Sequence, residues 1–404
     1  MRVLINASAA AGTRTGIGHY TKQLVRCLRA QAAADEVRCF PSGLVRKARA
    51  VWTHVRPWLA REGRPRPAAE APGQAAPGWR GRAVGRLRQY GQAVMAASFR
   101  SACRQARYDV YHEPNFIPFA CDVPTVATLH DLSVLLHPEW HPADRVAHFE
   151  RRFHRGLTQC VHFLAISEFG RQEVIRTFNL RPEQVTRTYM GVRPGLGPLS
   201  EATVQATLRR LGLPPRYLLY LGTIEPRKNV LTLLRAYCSL PGWLRREYPL
   251  LLVGGWGWNA GNVAEYLDGE AKHRGVLHLG YVAEQHLAAL YGGARALAFP
   301  SFYEGFGLPP MEMLACGGAV LASTAGALAE TVGGRAHLID PHDVSGWRAA
   351  LVRVLQDDDW WQSLRKGAVE AARPYTWEQC AADTLRVYRT LAEGAPARTD
   401  KQAA

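Results

Sequence analysis

The sequence predicts an α/β protein made of two similar Rossmann-like domains, each with a parallel sheet. Three observations carry this. Short β-branched or aliphatic runs alternate with longer helical patterns along the 404 residues, which is the sequence form of α/β units. Polar residues close several of those runs, where open α/β sheets place their ligands. A Pro- and Gly-bearing stretch at 193–212 interrupts the rhythm as a linker would, and a second α/β series begins after it. The expected division is 1–195, with a basic insert at 44–107, then 196–373, then a last helix and tail over 374–404.

In the first half, residues 3–6 read as a strand followed by a glycine loop and a helix over 19–30. Residues 126–129 read as a buried strand ending at His130-Asp131, and 162–166 as another ending at Ser167-Glu168. In the second half, 217–222, 250–253, 275–279 and 296–300 read as strands, with a helix over 230–239 between the first two. The Gly16-Ile17-Gly18 loop sits at the first strand-to-helix turn but is not a dinucleotide fingerprint. Position 21 is Thr instead of a third glycine, and no clear acidic residue closes a second strand.

A chain of this length that is 47% hydrophobic is neither disordered nor a single small binding module. Its net charge of +16 is local: residues 1–195 carry 29 Lys/Arg against 14 Asp/Glu, and the remainder 21 against 20. Residues 44–107 hold 14 of the basic residues and only Glu62 and Glu70 as acids. Within that insert, 61–82 lacks any apolar period and reads as a mobile loop, while 83–103 is compatible with a helix. A basic, Trp-containing segment suits an anionic membrane surface, or else a solvated face over the cleft. No aromatic-interleaved nucleic-acid module is visible, so no nucleic-acid partner is expected. The eight cysteines are scattered without a CxxC pair, which indicates neither a disulfide framework nor a structural zinc site and fits a cytoplasmic setting. No apolar stretch approaches the length of a membrane span, and the N-terminus does not read as a secretory signal.

Chemistry concentrates in two places. Residues 299–318 contain Glu304-Gly305-Phe306-Gly307-Leu308, then two prolines and Glu312. A strand ends there, a glycine turn follows, and prolines occupy the tolerant first turn of a helix whose free N–H groups can hold a diphosphate. Glu304 and Glu312 are expected to face one pocket and accept from sugar hydroxyls. The second place is 222–229 (GTIEPRKN), directly after a strand, where Arg227 and Lys228 can neutralise a leaving diphosphate, Arg as a fork and Lys as a point charge. Asp357-Asp358-Asp359 reads as an acidic helix start instead of a metal site.

Together with Thr15-Gly16-Ile17-Gly18-His19-Tyr20, Leu129-His130-Asp131 and Ala165-Ile166-Ser167-Glu168-Phe169, these stretches resemble family 4 of the retaining glycosyltransferases over nearly the whole chain outside the insert. The resemblance implies the GT-B architecture, two Rossmann-like domains facing across a cleft, with the nucleotide sugar held by the second and the acceptor by the first. It implies that Glu312 holds the nucleotide ribose and Glu304 the donor sugar. The backbone of Gly305, Phe306, Gly307 and Leu308, with Arg227 and Lys228, would hold the diphosphate. His130 would sit beside the reacting sugar, and Gly16 and Gly18 would approach the donor phosphates and acceptor. It also implies catalysis without a metal or other cofactor and without an enzyme nucleophile, the leaving phosphate taking the acceptor's proton. Thr223 stands where related sequences often have Arg, and Glu330 is preceded by an altered stretch. Residues 374–377 (PYTW) resemble the segment that crosses back to the first domain.

The expected function is therefore hexosyl transfer onto a glycan or lipid-linked acceptor of a cell-surface polysaccharide at the inner membrane face, with mannose or a related sugar from a GDP-sugar favoured. The alternatives are a UDP-sugar-dependent transferase of the same fold, a GT-B-like nucleotide-sugar epimerase, and a non-enzymatic basic membrane- or RNA-binding protein.

Overall fold

The structure, a computed structural model, describes residues 1–11, 16–33, 35–41 and 79–394. Two six-stranded parallel sheets organise the chain. The first takes β1 (Arg2–Asn6), β2 (Glu36–Phe40), β3 (Val110–Glu113), β4 (Thr125–Leu129), β5 (Cys160–Ala165) and β6 (Val185–Arg187) in the order β2-β1-β3-β4-β5-β6. The second takes β7 (Tyr217–Leu221), β8 (Leu250–Val253), β9 (Val276–Gly280), β10 (Ala294–Phe299), β11 (Val320–Ser323) and β12 (Ala336–Ile339) in the order β12-β11-β10-β7-β8-β9. Strands β4, β8 and β11 are buried along their whole length, because helices cover both faces of a parallel sheet, and β8 accordingly reads as an unbroken aliphatic run while β4 and β11 admit only Thr125, Thr128 and Ser323. In the second sheet the strand order reverses between β7 and β10. The loops leaving those two strands therefore flank the crevice where α/β sheets bind ligands.

The helix after β1 spans Gly16–Gln31, so Gly16 and Gly18 lie in its first turn and not in a loop. Glycine costs about 1 kcal/mol in a helix. The stripe Tyr20, Leu24, Cys27 and Leu28, buried against the sheet, outweighs that cost. Residues 42–78, which take in the first part of the insert and most of the expected loop over 61–82, lie outside the described residues. Residues 79–82, expected in the loop, belong instead to a helix over Trp79–Gln105. Its Phe99 stacks on Phe119 at 5.0 Å, with Phe40 edge-on at 5.1 Å, which anchors the C-terminal end of that helix to the first sheet.

The last helix, Trp377–Gly394, returns to the first sheet. Trp377 packs edge-on against Tyr20, and the buried Tyr388 hydroxyl meets His112 Nδ1 at 2.5 Å. Gly191 lies against the backbone of Thr376 and Trp377, where a Cβ would collide, so the connection between sheets and the returning segment are in backbone contact.

His112 is enclosed in this junction, its Nε2 2.7 Å from Thr128 Oγ1, and burial pushes its pKa down to about 3. Burial likewise lowers His162 to about 4. An unfolded chain protonates histidine near pH 6.5. Between that pH and the lowered values the denatured state holds protons that the folded state excludes, so stability is full above about pH 6.5 and falls as pH drops. His112 alone is expected to contribute a slope of about 1.4 kcal/mol per pH unit in that window. Urea midpoints should therefore fall from about pH 7 to about pH 5, and a midpoint flat across that range would contradict the assignment.

Candidate active site

The turn after β10 carries Glu304, and the 3-10 turn Pro226–Lys228 after β7 carries the two cations. Glu304 is 5% exposed. Its Oε1 accepts from Lys228 Nζ at 2.5 Å and its Oε2 from Arg227 Nη1 at 3.4 Å. Arg227 also donates to the Tyr303 carbonyl at 3.2 Å and pairs with Glu225 at 2.8 Å. Asn229 adopts the left-handed conformation at φ +53° and locks this loop by donating to the carbonyls of Pro300 (2.9 Å) and Pro341 (2.7 Å). Burial alone would raise the Glu304 pKa, but the charges of Lys228 and Arg227 outweigh it and hold the carboxyl below the ordinary range. Burial and the Arg227 charge draw Lys228 below the usual lysine value, against the opposing pull of Glu304 at 2.5 Å.

Glu312, on the helix Leu308–Ala315, is fully buried and has different partners. Its Oε2 accepts from the Tyr291 hydroxyl at 2.8 Å. Arg193 Nε lies 3.3 Å from Oε1, near enough for charge pairing, yet neither atom makes a hydrogen bond. Burial raises the Glu312 pKa against the pull of Arg193. Glu304 and Glu312 are thus held by separate sets of groups, one at each end of the same turn and helix.

Between them, Gly307 takes φ +91°, a left-handed conformation suited to glycine, and starts the helix. Pro309 and Pro310 bring no N–H, so the donors available to an anion come from the turn itself. Among the described residues, the amides of Gly305, Phe306 and Gly307 donate to no backbone carbonyl outside regular elements. That turn presses on the first domain: a Cβ on Gly305 would collide with the His130 carbonyl oxygen and lie 3.3 Å from the Asp131 Cβ.

His130, at the end of β4, is 8% exposed. Its Nε2 donates to the Pro114 carbonyl at 2.8 Å, which leaves Nδ1 as the acceptor nitrogen. Burial lowers its pKa, so the ring is neutral. The Tyr20 ring meets it edge-on at 4.8 Å, which puts the Gly16–Gln31 helix beside the histidine. The structure therefore gathers His130, Glu304, Gly305, Arg227 and Lys228 at one point of the cleft, with Glu312 in its own buried pocket along the adjoining helix.

Several contacts here escape the sequence reading, which singles out Glu330 but not its partners. The Tyr303 hydroxyl accepts from the Leu132 amide at 3.1 Å and donates to Glu173, tying the Glu304 turn to the first domain. Glu330 caps the helix Glu168–Phe178 of the first domain, accepting from the amides of Glu168 and Phe169 and from the Tyr189 hydroxyl, each at 2.7 Å. Trp258 Nε1 donates to the Trp140 carbonyl at 2.9 Å. Every one of these bonds joins positions more than a hundred residues apart, and no local pattern announces them. Asp357 is the cap of the helix Asp358–Arg365, its side chain accepting from the Trp360 amide at 2.8 Å.

Two Rossmann-like sheets closing over a buried Glu-Lys-Arg cluster define a two-domain protein of the GT-B architecture. The chain belongs to the family 4, group 1 glycosyltransferases. The model described as Glycosyltransferase Family 4 matches residues 14–196, and that described as Glycosyl transferases group 1 matches residues 209–374. It is 37% identical over 292 residues to O-antigen chain mannosyltransferase B of Escherichia coli, covering 72% of this chain and 76% of that one. It is also 29% identical over 270 residues to the Escherichia coli serotype-specific mannosyltransferase WbdA, of whose length the match covers 32%. Solved structures with the same fold include WaaG, a glycosyltransferase involved in lipopolysaccharide biosynthesis, with a TM-score of 0.67 at 15% identity over 95% of this chain and 99% of that one. Anabaena Alr3699/HepE in complex with UDP and glucose gives 0.67 at 18% identity over 96% and 99%. The protein is accordingly a glycosyltransferase. No helix among the described residues is long and apolar enough to cross a membrane.

Proposed function

We propose that the enzyme transfers mannose or a related hexose from a GDP-sugar, with retention of configuration, to a glycan or lipid-linked acceptor during synthesis of a cell-surface polysaccharide. The observation that carries this reading is the buried Glu304-Lys228-Arg227 cluster at the reversal point of the second sheet, in a chain 37% identical to an O-antigen mannosyltransferase. Lys228 and Arg227 supply preorganised positive charge where a diphosphate leaves, so the stabilisation costs no reorganisation as the glycosidic bond breaks. The amides of the 305–307 turn add donors to the same anion. Glu304 accepts from sugar hydroxyls, Glu312 from the ribose, and His130 offers Nδ1 to the donor sugar. The acceptor hydroxyl attacks on the face the leaving group departs from, its proton passing to the leaving phosphate, and the basic side chains do the work of a metal ion.

A panel of GDP, UDP, ADP and their sugars, followed by thermal unfolding, tests the donor, because a ligand that binds only the folded state raises its stability by an amount set by its concentration relative to Kd. GDP and GDP-mannose should give the largest upward shifts, and transfer should persist in EDTA. A shift confined to uridine nucleotides would replace the donor, and turnover abolished by EDTA would refute the metal-free reading.

The excess of basic residues in 44–107 supports a second part of the proposal, association with an anionic membrane surface that presents the lipid-linked acceptor. Flotation with anionic vesicles should fall on reversing the charge of Arg82, Arg86, Arg88, Arg100 and Arg104 while nucleotide binding is kept. Equal flotation of both chains would remove the membrane role.

A further inference from the structure

Asp131 follows His130 at the mouth of β4 and faces the turn that carries Glu304 across the cleft, its Cβ in the space next to Gly305. Both bonds that its side chain makes to the protein fall on one oxygen: Oδ1 accepts from the Ser133 amide at 3.0 Å and from the Ser133 hydroxyl at 2.7 Å. Ser133 is itself held from behind, with His141 Nε2 3.1 Å from its Oγ. The hydroxyl has one proton and gives it to Asp131, so His141 must donate to Ser133 through Nε2–H. Burial, which lowers the His141 pKa to about 4, keeps that ring neutral. The chain His141 to Ser133 to Asp131 therefore runs one way and orients the carboxylate. Burial works against the charge of Asp131, but Arg227 and the two Ser133 bonds outweigh it and hold the carboxyl below the usual range. The result is an ionised carboxylate with one oxygen saturated and the other, Oδ2, engaged by no hydrogen bond to the described residues. It stands on the first-domain side of the cleft, opposite the Glu304-Lys228-Arg227 cluster. An ionised carboxylate only accepts hydrogen bonds, so Oδ2 is open to a donor, and the donor that a glycan acceptor brings is a hydroxyl.

We infer that Asp131 Oδ2 holds the acceptor's attacking hydroxyl, with Ser133 and His141 as the residues that position it. The inference rests on the transferase reading above. The carboxylate accepts the hydroxyl's hydrogen and so turns an oxygen lone pair toward the sugar carbon. As the new bond to the sugar carbon forms, the proton passes to Asp131 Oδ2 and from it to the leaving phosphate, so Asp131 finishes the cycle ionised and no further reactant is needed.

The test compares Asp131→Asn with the unaltered enzyme, using GDP-mannose as donor and a mannose-terminated oligosaccharide as acceptor, and follows transfer and donor hydrolysis by water separately. Asn keeps the size and can still accept from Ser133, but it presents an amide N–H to a hydroxyl that needs an acceptor. Transfer kcat/KM for the oligosaccharide should fall by about 100-fold, the cost of losing near-attack alignment. GDP affinity should stay within about threefold, since the nucleotide makes no use of the acceptor's hydroxyl. Ser133→Ala should lower transfer about tenfold in the unaltered background and not at all in Asp131→Asn, the non-additivity of a residue acting through another. Hydrolysis and transfer falling together with weaker donor binding would overturn the inference, as would undiminished transfer in Asp131→Asn. An unaltered enzyme that neither binds nor hydrolyses any nucleotide sugar would instead overturn the transferase reading, so the two failures are distinguishable.

Discussion

Glu304→Gln will bind GDP nearly as well as the unaltered enzyme and transfer sugar about 10²- to 10³-fold more slowly, the loss typical when a preorganised polar group is removed from a reacting centre. The geometry explains why the two effects separate. Glu304 is the shared partner of Lys228 (2.5 Å) and Arg227 (3.4 Å), so it fixes where both cations point as well as accepting from the donor sugar. Gln preserves the volume and one acceptor but leaves two buried cations with less compensation. They will still attract a diphosphate, though without the geometry that places it. Glu304→Ala goes further. It removes the buried counter-ion outright, and breaking a buried pair in this way costs about 3–5 kcal/mol. That variant should therefore show a lower Tm as well as lost transfer. Measuring kcat/KM and Tm on both variants separates chemistry from stability. Transfer by Glu304→Gln at the unaltered rate would remove Glu304 from the mechanism.

What the sequence discloses here follows from the range of the interactions involved. The strands are legible because parallel strands buried on both faces are mostly aliphatic: Leu250–Val253 appears with the bounds expected of it, and other strands shift by a residue or two where they emerge from the sheet. The cluster at Glu304, Arg227 and Lys228 is legible because its residues sit on the loops that end two strands, a position set by topology. Residues whose role depends on the opposite domain are not legible. Tyr303 finds Leu132 and Glu173, Glu330 finds the Glu168 and Phe169 amides, and Arg193 finds Glu312 only after both sheets have formed and met. Gly16 and Gly18 misled for a different reason. A local preference of about 1 kcal/mol against helix gives way to the tertiary burial of Tyr20 and Leu24, which a reading of nearest neighbours does not weigh.

Gly305 gives the sharpest separation between binding and turnover. It is not in the left-handed region, so alanine costs nothing in backbone conformation there, and the second sheet and its helices should fold as before. The difficulty lies across the cleft, where the added Cβ would collide with the His130 carbonyl oxygen. A backbone oxygen at the end of a buried strand cannot swing aside as a long side chain does. The collision is relieved only by moving the two domains apart, which draws His130 and Asp131 away from Glu304 and strains the Tyr303 bond to Leu132. Displacements of about 1 Å from a reactive alignment cost about 100-fold in rate. Gly305→Ala is therefore expected to keep its Tm within a few degrees and its GDP affinity within about threefold, while losing about 100-fold or more in transfer. Small-angle scattering in the presence of GDP should show a larger radius of gyration than for the unaltered chain. If Gly305→Ala transfers at the normal rate, the contact of this turn with His130 is not part of the reactive state, and the chemistry proceeds in a more open cleft than the one described.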